Sequence, residues 1–95
     1  MSPIEKAQAN IHIALREVEH ALANPCHLPE GITEMQLRKC EKQLRSMLNN
    51  LETNTYPRKE NRETGMARMI VDSWPLSSSI GDAILGAEQA YLAIP

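Results

Sequence analysis

The side chains that could do chemistry in this chain are few and scattered: His12, His20 and His27, Cys26 and Cys40, and the run Ser77-Ser78-Ser79. Glu17-x-x-His20 has the spacing of the carboxylate–histidine pair that serves di-iron helical bundles. Such a centre takes two of these pairs and further glutamates projecting inward. Here there is one pair, it falls off the apolar stripe of its segment, and no second glutamate lies on an expected buried stripe. The pair therefore reads as part of a solvated face. Cys26, His27, Cys40 and His20 are the soft metal ligands on offer, without the paired Cys-x-x-Cys or His-x-x-x-His spacing of zinc sites. Cys40 falls at a core position, where a thiol acts as a small hydrophobe.

Nucleophilic catalysis finds no better footing. The three serines follow Pro75 and suit a helix start, where hydroxyls accept from free backbone amides. Cys26 and His27 are adjacent in sequence, which does not aim one side chain at the other. Gly81 and Gly86 are too few for a phosphate-cradling loop and lack its preceding strand. The expectation is a protein that is not an enzyme and needs no cofactor or metal.

Charge is more informative. The net charge is −2, but residues 38–68 hold eight Lys/Arg against four Asp/Glu, while the rest holds two against eight. Arg38, Lys42 and Arg45 form one stripe at helical spacing, and Arg58, Lys59, Arg62 and Arg68 follow it. Cations gathered on one surface are what phosphate contacts require, so a nucleic-acid-associated regulator is one reading. Against it stand Glu41, Glu60 and Glu63 inside the patch and a pI near 5.9.

The elements that would position these groups are helical. Ninety-five residues make one domain, and a hydrophobic fraction of 42% is enough for one modest core. With no Phe, two Tyr and one Trp, that core is built from Leu, Ile, Val, Ala and Met, which favours helix packing over sheets. Ser2, Pro3 and Glu5 form a complete helix start with a capping box. Ile4, Ala7, Ile11, Ala14, Val18 and Ala21 then recur at alternating three- and four-residue spacing, with Leu15 and Leu22 alongside. Asn24-Pro25 ends this first helix, expected over residues 3–23.

Thr33 and Gln36 form a second capping box, with Ile32 and Leu37 at the positions of a hydrophobic staple. The stripe Leu37, Cys40, Leu44, Met47, Leu51 predicts a second helix over 34–53, making an antiparallel hairpin with the first. A third helix is expected over 60–74, the β-branched pair Ile70-Val71 leaving a short strand as its rival. Pro75 would open a fourth over 75–94, with Leu76, Ile80, Ala83, Ile84, Ala87, Tyr91 and Ile94 on its buried face. The fold class is all-α: a small bundle of three to four helices built on that hairpin.

Without a signal-like leader or an apolar run approaching the roughly 18–20 residues of a membrane span, a cytoplasmic protein off the membrane is expected. The leading functional reading is a small protein-interaction module (adaptor, inhibitor or assembly factor) that binds another protein or a second copy of itself. Met66, Met69, Ile70 and Trp74 would form its partner-binding surface, supported by Arg38, Lys42 and Arg45, because Met and Trp adapt and bury large areas at interfaces. The competing role for the Met/Trp group is to fill the core of a protein without Phe.

Overall fold

The computed structural model describes residues 2–61, 65–75 and 78–95. Its helices are α1 (Pro3–Leu22), α2 (Glu34–Glu52), α3 (Met66–Ser73) and α4 (Ser79–Leu92), with short 3-10 turns at Pro25–His27 and Lys59–Asn61. No strand occurs among the described residues, so Ile70 and Val71 belong to a helix.

Both predicted capping boxes form. Ser2 Oγ accepts from the Glu5 N–H at 3.1 Å, and Glu5 Oε1 accepts from the Ser2 N–H at 3.3 Å. Thr33 and Gln36 repeat the exchange at 3.1 and 3.0 Å. Each box satisfies amides that the first helical turn leaves without partners. Ile32 and Leu37 are both buried beside the second box. At its far end α2 stops on Asn54, whose φ of 58° is left-handed. The Thr55 N–H then donates to the Asn50 carbonyl at 2.8 Å and the Asn54 N–H to that of Leu51 at 3.4 Å. This is the Schellman closure, with asparagine in the place glycine usually takes.

Ala7, Ile11, Ala14, Leu15 and Val18 of α1 are buried, as are all five stripe residues of α2. α1 packs against both α2 and α4, more extensively against α4, and α3 packs against α4. The fourth helix thus lies along α1 instead of resting evenly in the groove of the hairpin.

The two later helices are shorter than their expected ranges. The third starts at Met66, and Lys59–Asn61 is a separate turn. It stops at Ser73 because Trp74, the residue before Pro75, is extended (φ −102°, ψ 154°). Pro75 does not open the fourth helix. Ser78 caps it, accepting from the Gly81 N–H at 3.0 Å, a bond that Trp74 has no side-chain oxygen to offer ahead of Pro75. The expectations for Leu76, Ser77 and Arg62 lie outside the described residues.

Candidate functional site

Residues 39, 42, 43 and 46 fall on the flank of α2 that faces away from α1. Opposite them comes the beginning of α3. Between the two helices runs a groove of about 410 Å³, with Lys39, Cys40, Lys42, Gln43 and Ser46 on one wall and Gly65, Met66 and Met69 on the other. Its floor is apolar and its α2 rim is basic. Lys39 and Lys42 are exposed, and among the described residues neither has an ion-pair partner. The same face continues toward the start of α2 past Arg38 to Met35, which is 71% exposed.

The α3 wall is held from its two ends. Gly65 begins it at φ +80°, in the left-handed region, and has no side chain to cap with. The cap comes instead from α4: the Ala67 N–H donates to Glu88 Oε2 at 2.8 Å. A carboxylate at a helix N-terminus satisfies a free amide and meets the positive end of the helix dipole. Glu88 is 3% exposed, the one charged side chain buried among the described residues. That corrects the expectation that no further glutamate would lie on a buried face. At the other end Trp74 Nε1–H donates to Gln36 Oε1 at 2.9 Å. Gln36 Oε1 is also the capping-box acceptor for Thr33, so one carbonyl starts α2 and anchors the end of α3.

Cys40 lies at the floor. Burial, assisted by the nearby Glu88 carboxylate, pushes its thiol up to about 11. At neutral pH it is protonated and buried beneath the groove, without the thiolate that a nucleophile or metal ligand needs. Cys26 is exposed and also free. Glu17, His20 and His27 line a separate shallow depression where α1 ends. Among the described residues no three His, Cys, Asp or Glu side chains are placed to hold a metal ion.

The sequence-predicted surface is therefore divided. Met66, Ile70 and Trp74 are in the chain's own core, at 4 to 5% exposure, though Met66 still lines the groove. Met69 is half-buried and lines the same groove as Lys42. Arg38 pairs with Glu34 at 2.8 Å. Arg45 leans toward α1, reaching Glu19 at 3.4 Å and Glu41 at 3.5 Å. Arg58 is exposed in the connector before α3, apart from the α2 stripe. Lys39, Gln43 and Ser46 were missed. Helical spacing allows 35/39/42/46 as readily as 38/42/45, and only the position of α3 selects between them. No known family model matches the chain, and no curated protein matches it significantly.

Proposed function

We propose that this protein is a non-catalytic interaction module that binds another protein through the α2–α3 groove. The observation that carries this reading is an apolar floor (Cys40, Met66, Met69) beside two lysines that have no ion-pair partner among the described residues, continued by an exposed Met35. Adaptable apolar side chains next to unpaired charge are what a protein partner engages; methionine is favoured at such surfaces. The ion pairing of Arg38 and Arg45 leaves less support for a nucleic-acid regulator, which needs several free cations on one surface. Two free cysteines, one of them exposed, favour a reducing compartment, the cytoplasm. No described helix is long and apolar enough to cross a membrane.

The test is site-specific photo-crosslinking in cells of the native host. A photoreactive amino acid is placed at Ser46 in the groove and, as control, at Glu52, which is exposed near the end of α2. A discrete adduct from position 46 and none from 52 is the expected result. Identical adduct patterns from the two positions would overturn the assignment of the groove.

A further inference from the structure

We infer that the occupant of the α2–α3 groove is an acidic amphipathic segment of a partner protein, an inference that rests on the groove being the interaction surface. Charge complementarity over an apolar floor points to this occupant. None of the described residues lining the groove is acidic, and two are lysines without ion-pair partners. The chain as a whole carries −2, yet exposed charges beyond about 8 Å are largely screened at physiological salt, so the local lysines decide the encounter. From Lys39 to Ser46 the α2 wall rises about 10 Å, two helical turns. That length matches apolar anchors spaced three or four residues apart on a docking helix. Such anchors would rest on half-buried Met69, with Met66 and Cys40 buried beneath it, while flanking Asp or Glu side chains meet Lys39 and Lys42. A nucleic acid fits less well: among the described residues lining the groove it would find two cations and no Trp or Tyr for its bases to stack on.

The experiment is selection of a random peptide display library, about 14 residues long to span those two turns with flanks, on the immobilised full chain. Enriched peptides are then titrated onto wild type, Lys39→Glu/Lys42→Glu and Met69→Lys, each verified by thermal melting; Ser46→Trp replaces Met69→Lys if that variant does not fold. Enriched peptides should pair apolar anchors with an excess of Asp and Glu. Their affinity should fall about tenfold or more in the double charge variant, a loss that exceeds what a single exposed pair supplies. Raising salt from about 50 to about 300 mM should weaken them in the same direction. Peptides without acidic excess, or indifferent to Lys39→Glu/Lys42→Glu, overturn the acidic occupant and leave the groove reading standing. No enrichment, or equal binding to the groove-blocked variant, overturns both. Displacement of the peptides by a mixed-sequence DNA duplex, with that duplex lost from the double charge variant, overturns the protein partner in favour of nucleic acid.

Discussion

The α1–α2 hairpin and α3 are built by opposite means. Each hairpin helix has about five turns, carries its own capping box from residues three apart, and buries a stripe set by local periodicity. α3 has eight residues and begins on a glycine without a side-chain cap. Isolated helices below about 12–15 residues are marginal in water, so α3 depends on its surroundings. Its two anchors come from 21 and 38 residues away in sequence, Glu88 and Gln36. The loop before α2 closes on it as well: a Cβ on Gly31 (φ +87°) would stand 3.2 Å from the Ser73 carbonyl oxygen. The hairpin supplies one wall of the groove by its own rules, and the other wall is a segment that the rest of the fold holds in place.

This contrast can be broken or sharpened by substitution. The largest effect is expected from Leu44→Ala in the hairpin, where a fully buried leucine leaves a cavity. Urea unfolding should show a loss of about 2–5 kcal/mol; a loss below about 1 kcal/mol would mean the hairpin does not carry the core. Next comes the pair Gln36→Ala and Glu5→Ala. Both remove the reciprocal half of a capping box, about 0.5–1 kcal/mol, but Gln36→Ala also strips Trp74 Nε1–H of its acceptor and should total about 1–3 kcal/mol. Hydrogen exchange should then rise across α3 in Gln36→Ala alone, whereas equal losses without that signature would detach α3 from the start of α2.

The smallest effect is confined to Cys40. With its folded-state value near 11 against an ordinary 9.0, the native chain holds this proton where the unfolded chain releases it. Its contribution is therefore complete below pH 9 and declines as pH rises toward 11. Alkaline denaturation should be shallower in Cys40→Ala than in wild type, and iodoacetamide near neutral pH should label exposed Cys26 well before Cys40. Equal labelling rates would show that the groove floor opens readily.

Legibility followed the same division. Lys42, marked by helical spacing with Arg38 and Arg45, and Met66 and Met69, marked by residue type, line one groove. Ile70 and Trp74 were chosen for the same reason and are buried by their own chain, because a core without Phe uses Trp74 as filler. An apolar stripe assigns a glutamate such as Glu88 to solvent; in the fold it is buried and accepts from an amide of a different helix. Pro75 carries the sequence signature of a first helical residue, but the hydroxyl of Ser78 provides the cap of α4.

What the sequence alone determined was the all-α class, the hairpin, both capping boxes and the five buried residues of α2. These rest on interactions within three or four residues, which spacing reveals directly. The tertiary structure decided the capping of the start of α3, the burial of Glu88, the anchoring of Trp74 and which flank of α2 meets a groove. Each of those depends on a partner group 21 or more residues distant or on the placement of a neighbouring helix, and no local pattern specifies where that partner will stand.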